Sequence, residues 1–353
     1  MQNSSPVFYS IAAQHDNLGD IEIRRVVLGW LRQLDRPIVT YVGGMPDEYI
    51  NAFGEVPGVE MHRSRLAFEL RLLAGALKGG AALVLPPGPQ IFGPMALAAH
   101  STVNLLNAAL LRVRGGRSAV IGRSLRGTAS LGKRIDRALI QTQEIFFVRD
   151  DVSASEIGLE LPRCPDVALA EQDTAPTTGT RRAVSMSFRG DRTIDPELLV
   201  DFVRSARAAG YEPVLVSQVR RDDAQHRDLA RALGVETELW GDRSHVEQEA
   251  AVRHRYRQSA FMLSNRLHGL VMAMQCGAVP ISPSFDASDK VSSTLDGVIS
   301  VHRWTGASSE DQTPGEPMWT GHDLHARTLE KELAGARADL DEASRLFRAA
   351  LTH

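Results

Sequence analysis

The stretch Ala260–Gly269 has the sequence Ala-Phe-Met-Leu-Ser-Asn-Arg-Leu-His-Gly, an apolar run that ends in an arginine and a histidine. We predict a short buried strand with Arg266 and His268 just beyond its carboxyl end. Leu270–Cys276 then has the pattern of a helix, and Gly277–Ile281 begins another buried strand. In open α/β sheets, ligands bind at the carboxyl ends of strands, where helix N-termini offer free N–H groups to anions. A permanent cation and a titratable imidazole at that place indicate an anionic substrate and proton transfer, with a helix-capping arginine and a packed histidine as the alternative.

The first half of the chain alternates strand and helix patterns. Asp20–Leu34, for example, places apolar side chains at helical spacing. We predict strands at Val7–Ala13, Pro37–Val42, Gly58–His62, Ala81–Leu85, Ser118–Gly122 and Glu144–Arg149, and further helices at Pro46–Phe53, Leu66–Lys78, Pro94–Val113 and Thr128–Gln141. This repeated order indicates a mostly parallel sheet with helices on both faces.

A second series of strands and helices follows Glu171–Thr180, a polar segment that contains Pro and Gly and has no periodicity. We predict strands at Ala183–Phe188 and Pro213–Ser217, and helices at Pro196–Ala209, Asp223–Leu233 and Val246–Arg257. The expected organisation is two Rossmann-like domains, an irregular loop and a C-terminal helix. Their ranges are 1–170 for the first domain, 171–181 for a linker, 182–303 for the second domain, 304–322 for the loop and 323–353 for the helix.

Composition and charge are those of an ordinary globular protein. The 353 residues suffice for two domains, and a net charge of −3 gives no support for nucleic acid as a partner. Cys164 and Cys276 have no metal-binding or redox spacing, so we expect both to be reduced and buried, as in the cytoplasm. Met1–Pro6 is polar, and no uncharged apolar segment reaches the roughly 18 residues of a membrane span. We therefore expect a cytoplasmic protein with at most peripheral contact at the inner face of a membrane.

Two arginines follow strands of the second series. Arg189 comes after the strand that ends at Ser187 and Phe188, as Arg266 comes after the strand at 260–263. Two converging guanidinium groups suit a ligand that carries both a phosphate and a carboxylate. An exposed ion pair is the alternative for Arg189.

The loop after the first strand is a third candidate. In His15–Asp20, Gly19 permits a tight turn and a close approach of a ligand, and Asp20 can cap the following helix. Asn17 and Asp20 are therefore either ligand contacts or turn and cap residues.

Two further strand ends complete the candidates. Leu85–Gln90 is predicted to be a rigid loop that either lines a cleft or simply terminates the strand. Ile121–Gly127 is predicted to be a loop whose Arg123 and Arg126 face the same cleft. Metal-ligand spacings, a Gly-x-Ser-x-Gly elbow and a P-loop are missing from the sequence, so we expect no metal.

Several of these pieces resemble, in their order along the chain, the polysaccharide pyruvyl transferases. The matching pieces are Asn17–Asp20, Phe147–Ser153, Pro165–Leu169, Ser187–Arg189, Arg266–His268 and Gly277–Pro280. The Arg-Leu-His strand end is the most specific of them. The resemblance implies an α/β fold similar to the two-domain GT-B glycosyltransferases, with two Rossmann-like domains facing a cleft and a long C-terminal helix.

The resemblance also implies a reaction. Phosphoenolpyruvate is the expected donor, and its pyruvyl group is attached as a ketal to two hydroxyls of a sugar in a surface polysaccharide or its lipid-linked precursor. No further cofactor is expected. The donor would bind to the second domain and the glycan acceptor to the first.

The family's functional positions match particular residues of this chain. Arg189, Arg266 and His268 match positions that hold and activate phosphoenolpyruvate, with His268 as the general acid that protonates the methylene carbon. Asn17 and Asp20 match the amino-terminal loop facing the cleft, with Asp20 as a base for the sugar hydroxyl. The remaining residues expected to bind substrate are Gly19, Arg123 and Ser187.

Two departures from the family pattern lie in the first domain. Pro86–Pro89 stands where the family commonly has a glycine-rich strand end, and Gly122–Ser124 stands where it commonly has a Pro-Gln-Ser-like stretch. Because of these departures, the resemblance does not identify the acceptor sugar. The alternatives are a GT-B glycosyltransferase that uses a nucleotide sugar and a non-catalytic family member that binds glycan.

Overall fold

Two parallel β-sheets, each in its own unit, form the framework of the protein. A computed structural model describes residues 5–54, 58–92, 95–175, 180–192, 194, 196–283, 290–304 and 319–352. The first unit consists of Met1–His15, Asp20–Ala170 and Ala338–His353, and the second of Asp16–Gly19 and Glu171–Arg337. The sequence-derived ranges for domains and linker stay predictions, and residues 176–179 of that linker and 305–318 of the predicted loop lie outside the described residues.

The first unit contains a seven-stranded parallel sheet. Its strands are β1 (Val7–Ser10), β2 (Ile38–Tyr41), β3 (Val59–His62), β4 (Ala82–Leu85), β5 (Gly88–Ile91), β6 (Arg117–Arg126) and β7 (Ile145–Val148). They are ordered β3-β2-β1-β4-β6-β5, with β7 also pairing with β6. The helices are α1 (Leu18–Arg32), α2 (Asp47–Asn51), α3 (Arg65–Lys78), α4 (Met95–Val113), α5 (Ser130–Thr142) and α6 (Asp151–Ile157). Phe8, Leu83, Val120 and Phe146 are part of its buried core.

The second unit contains a six-stranded parallel sheet. Its strands are β8 (Ala183–Ser187), β9 (Glu212–Val216), β10 (Glu236–Glu238), β11 (Ser259–Ser264), β12 (Val279–Pro283) and β13 (His302–Trp304). The helices are α7 (Pro196–Ala208), α8 (Asp223–Leu233), α9 (His245–Arg257), α10 (Leu267–Gln275) and α11 (Lys290–Leu295). The spatial order β10-β9-β8-β11-β12-β13 is the 3-2-1-4-5-6 order of a Rossmann sheet. The direction of the strand order therefore reverses between β8 and β11.

The long C-terminal helix, α12 (His322–Thr352), is confirmed. Leu329, Leu333, Leu340 and Phe347 are all buried, as their helical spacing predicts. Within the first unit, the Phe347 ring centroid lies 6.5 Å from that of Trp30. The expected fold class, an α/β protein with parallel sheets and a C-terminal helix, is thus correct.

Three local predictions are wrong. Leu85–Gln90 is not simply a loop, because Gly88–Ile91 forms β5, where Pro89 is tolerated at a sheet edge. Ile121–Gly127 is not a loop either, since β6 continues to Arg126 and contains both Arg123 and Arg126. The helix after β11 begins at Leu267 rather than Leu270, so His268 is helical.

Candidate active site at the second sheet

The carboxyl ends of β8 and β11 meet at the point where the strand order reverses. Ser187 and Ser264 are register partners at the ends of these strands. The Ser264 hydroxyl donates to the Ser187 carbonyl at 2.6 Å and accepts from the Arg266 backbone N–H at 2.9 Å. These bonds fix the backbone of Arg266 beside the end of β8, at the place where open α/β sheets bind ligands.

A buried carboxylate orients the Arg266 side chain. Asp222 follows β9 and is fully buried. Its carboxylate forms a bidentate ion pair with the Arg266 guanidinium, in which Oδ2 contacts Nε and Oδ1 accepts from Nη2 at 2.5 Å. Asp222 Oδ1 also accepts from the Gly190 N–H at 2.8 Å. The Asp222 carboxylate therefore links Arg266 to the segment that follows β8. The ion pair with Asp222 occupies only one edge of the Arg266 guanidinium, which has five N–H groups in all.

Arg189 is held differently. Its backbone N–H donates to Asn265 Oδ1 at 3.0 Å, while its guanidinium makes a two-pronged pair with Asp191 at 2.9 and 2.6 Å. Hydrogen bonds from Arg189 lower the pKa of the Asp191 carboxyl to about 2, so this partner is ionised at neutral pH. Because Asp191 is 57% exposed, the pair costs little to separate. An anion can replace Asp191 more easily than Asp222.

A buried histidine braces the end of β8. His226 Nε2 accepts from the Phe188 N–H at 2.9 Å, and its Nδ1 lies 2.8 Å from the Ser217 hydroxyl. Burial lowers the pKa of His226, so the imidazole is neutral at neutral pH and serves as a hydrogen-bonding strut.

The N-terminus of α10 lies at the carboxyl end of β11, beside the end of β8. No side chain caps this nine-residue helix at its N-cap residue, Arg266. The first-turn N–H groups and the positive end of the helix dipole favour an anion at this position. His268 occupies the first turn and is buried.

Gly19 packs directly against His268. A Cβ on Gly19 would lie 2.3 Å from His268 Cβ and 2.5 Å from Nδ1, closer than any real contact allows. Residues 16–19 are held in the second unit by the Asp16–Arg221 ion pair at 2.6 Å and by an antiparallel bridge between Asn17 and Val219. Gly19 thus leaves the room that the imidazole needs.

Asn17 has a local role. Its Oδ1 accepts from the Gly19 N–H at 3.1 Å, which forms the turn that leads into α1. Of the two roles open from the sequence, the structure displays the turn role for Asn17.

Asp20 and Arg123 belong to the first unit. The expected capping role of Asp20 is wrong, because α1 begins at Leu18 and Asp20 lies within the first turn of this helix. Asp20 Oδ1 lies 3.4 Å from Arg24 Nη1. Arg123 is buried in β6 and donates to the Pro86 carbonyl at 2.6 Å. Burial lowers the pKa of the Arg123 guanidinium to about 10, although the nearby Asp136 carboxylate acts in the opposite direction and raises it.

The family-like motifs of the first unit have structural roles. Asp150 caps α6 and accepts hydrogen bonds from Ser124, Arg126 and Ser153. Burial alone would raise the pKa of the Asp150 carboxyl, but these hydrogen bonds outweigh burial and hold the pKa below its usual value. Arg149 and Asp166 form a buried ion pair at 2.7 Å, with both side chains only 1% exposed.

The second unit therefore brings together six of the eight predicted site residues: Arg189, Arg266, His268, Ser187, Asn17 and Gly19. Ser187 is fully buried, and its hydroxyl has no partner among the described residues. Sequence reasoning missed Asp222, His226 and Asn265. The available signal for Asp222 was the charged run Arg220–Asp223, which begins four residues after the buried strand β9 ends.

The described ranges lack two kinds of feature. Within them, no three His, Cys, Asp or Glu side chains are grouped so that they could hold a metal ion. None of the described helices combines the length and the apolar character that crossing a membrane requires.

The fold of this chain is similar to that of solved glycosyltransferases and epimerases. A glycosyltransferase from Rickettsia africae is similar with a TM-score of 0.60 at 9% identity, covering 99% of this chain and 100% of that one. A UDP-GlcNAc 2-epimerase from Neisseria meningitidis, bound to UDP-GlcNAc, is similar with a TM-score of 0.51 at 10% identity, covering 98% and 94%. At such identities the likeness establishes the fold, which is that of the GT-B glycosyltransferases and epimerases.

The family is shown by the sequence. No curated protein sequence matches the chain significantly. The family model for polysaccharide pyruvyl transferase matches residues 17–282. The chain belongs to the polysaccharide pyruvyl transferase family, which supports a role as a transferase in polysaccharide modification.

Proposed function

We propose that the protein transfers a pyruvyl group from phosphoenolpyruvate to two hydroxyls of a sugar in a surface polysaccharide or its lipid-linked precursor. The observation that carries this proposal is the convergence of Arg189, Arg266 and the uncapped N-terminus of α10 at one sheet edge. Phosphoenolpyruvate has a phosphate and a carboxylate, and planar guanidinium groups bind both kinds of anion in a two-pronged manner.

The two arginines have different parts in the proposed site. Arg266 is fixed by buried Asp222 and presents its remaining N–H groups in a constant direction. Arg189 exchanges the exposed Asp191 for the ligand. Gly190 is held to Asp222 as well, so the segment after β8 and the Arg266 side chain move together.

The proposed reaction begins with protonation of the methylene carbon by His268. The adjacent carbon becomes oxocarbenium-like, and a sugar hydroxyl attacks it while losing its proton to a base, for which Asp20 is the candidate. The bond between this carbon and the phosphate oxygen then breaks and phosphate leaves. The second hydroxyl attacks the same carbon, returns a proton to the His268 imidazole and closes the ketal. This chemistry uses no cofactor besides the donor substrate. Gly19, whose N–H is bonded to Asn17, leaves the room that the His268 imidazole needs.

A thermal-shift panel tests the donor. Phosphoenolpyruvate should raise the melting temperature of the full chain, because a ligand that binds only the native state stabilises it. UDP- and GDP-sugars should not. Stabilisation by a nucleotide sugar and not by phosphoenolpyruvate would contradict the proposal in favour of a glycosyltransferase. A member that only binds glycan would be stabilised by oligosaccharides alone.

Replacing His268 separates binding from chemistry. His268→Ala should keep the thermal shift caused by phosphoenolpyruvate but lower turnover by about 10²–10⁴-fold, the usual loss for a general acid. Turnover is measured as phosphate released in the presence of a panel of oligosaccharide acceptors. The exposed His254→Ala is the matched control. Unchanged turnover in His268→Ala would rule out its role as the acid.

A further inference from the structure

Helix α3 of the first unit carries a continuous apolar stripe on its outward face. Leu66, Leu70, Leu73 and Leu77 are between 41% and 69% exposed. Their spacing of four, three and four residues keeps them within about 60° of one another around the helix. The buried side of the same helix is formed by Phe68, Leu72, Gly75 and Ala76. This helix is therefore apolar on two faces, and one of them faces solvent.

Helix α4 extends this surface. Val103, Leu106 and Val113 are between 38% and 83% exposed, and Leu110 lies among them, half-buried. The two helices are neighbours, since Asn107 Nδ2 on α4 donates to Glu69 Oε2 on α3 at 2.8 Å. Seven of the fourteen exposed large apolar side chains in the described part of the chain lie on these two helices. Contiguous exposed patches of this kind mark interaction surfaces.

Cations collect at one end of the two stripes. Lys78, Arg112 and Arg114 are exposed at the C-terminal ends of α3 and α4, and Arg114 Nη2 donates to the Leu77 carbonyl at 2.9 Å. Basic residues at helix C-termini stabilise the helix dipole, but that effect does not account for the adjoining leucines. The combination of an apolar face and flanking cations is the pattern of surfaces that lie on anionic lipid.

The charge of the two helices supports the same partner. Helices α3 and α4 contain four Lys and Arg but one acidic residue, Glu69, whereas the whole chain has a net charge of −3. Glu69 is already paired with Arg65 at 2.5 Å and with Asn107. A two-fold interface between copies needs a self-complementary surface, and this surface has no carboxylate left to meet the cations of a second copy.

We propose that the surface formed by the outward faces of α3 and α4, with Lys78, Arg112 and Arg114, binds to a bilayer that exposes anionic headgroups. The leucines enter the boundary between headgroups and acyl chains, and the cations contact the headgroups. The inference is independent of the proposed donor, because membrane binding needs no substrate.

Vesicle co-sedimentation with the full chain tests this surface. The protein should bind phosphatidylcholine vesicles that contain phosphatidylglycerol better than pure phosphatidylcholine vesicles, and salt should weaken the binding by screening. Leu70→Gln with Leu106→Gln, and separately Lys78→Glu with Arg114→Glu, should each weaken binding by at least about tenfold. Because Leu70 and Leu106 are exposed, the glutamine variant should keep the wild-type melting temperature. The charge variant loses cations at two helix C-termini and should have a slightly lower melting temperature, so its binding is measured well below its own unfolding transition.

Matched controls come from the second unit. Val246→Gln with Leu324→Gln, and Arg204→Glu with Arg231→Glu, replace equally exposed side chains and should leave vesicle binding unchanged. Equal binding to both kinds of vesicle, no binding to either, or binding that the α3 and α4 variants do not change would overturn the proposal. A dimer in sedimentation velocity that Leu70→Gln with Leu106→Gln dissociates would assign the surface to a second copy instead.

Discussion

At the scale of single residues, the site depends on how side chains are held. Arg189 and Arg266 look alike in the sequence, since each follows a buried strand. In the structure one is paired with exposed Asp191 and the other with buried Asp222. Their positions were predictable because apolar runs mark the strands, but their partners were not, because Asp222 is 44 residues from Arg266.

Gly19 is the residue whose size matters most for His268. Gly19→Ala should lower turnover by about 10²-fold, because the new Cβ must displace the imidazole and misplacement of a catalytic group by about 1 Å costs that much. Phosphate release with phosphoenolpyruvate and acceptor measures the effect. Gly29→Ala, also in α1 but with no neighbour within 4 Å of the new Cβ, should be as active as the wild type. Equal activity of both variants would show that Gly19 does not position His268.

At the scale of elements, strands with strong apolar patterns were predicted within a few residues, and α8 at its observed bounds. The missed elements are short or polar. Strand β10 is Glu-Thr-Glu at a sheet edge, and β5 begins with Gly-Pro, so neither has an apolar pattern that could be found in the sequence. Their formation depends on a neighbouring strand that is distant in the sequence.

The motifs 147–153 and 165–169 make buried polar contacts within the first unit. Asp166→Asn leaves Arg149 buried without a counter-charge and should destabilise that unit by about 3–5 kcal/mol. Asp151→Asn removes the exposed pair with Arg163 at 2.8 Å and should cost at most about 1 kcal/mol. Urea denaturation followed by circular dichroism compares them. Equal unfolding midpoints would contradict a structural role for the buried pair.

At the scale of the whole molecule, the α/β class with parallel sheets followed from the repeated strand and helix patterns. The assignment of segments to units did not, because Asp16–Gly19 belongs to the second unit and Ala338–His353 to the first. Such long-range packing has no local signature. The exposed stripe of α3 was likewise hidden, since leucines at helical spacing suggest burial until their exposure is known.

Calorimetric titration of the full chain with phosphoenolpyruvate tests the central claim. This claim is that the donor binds at the carboxyl ends of β8 and β11 in the second sheet. Wild-type protein should bind it, as should Arg204→Ala, which alters an exposed arginine elsewhere in the second unit. Arg266→Ala combined with Asp222→Asn removes the guanidinium without leaving a buried charge unpaired, and should weaken binding by at least about thirtyfold. Wild-type affinity in that double variant, or no binding by the wild type, would contradict the account.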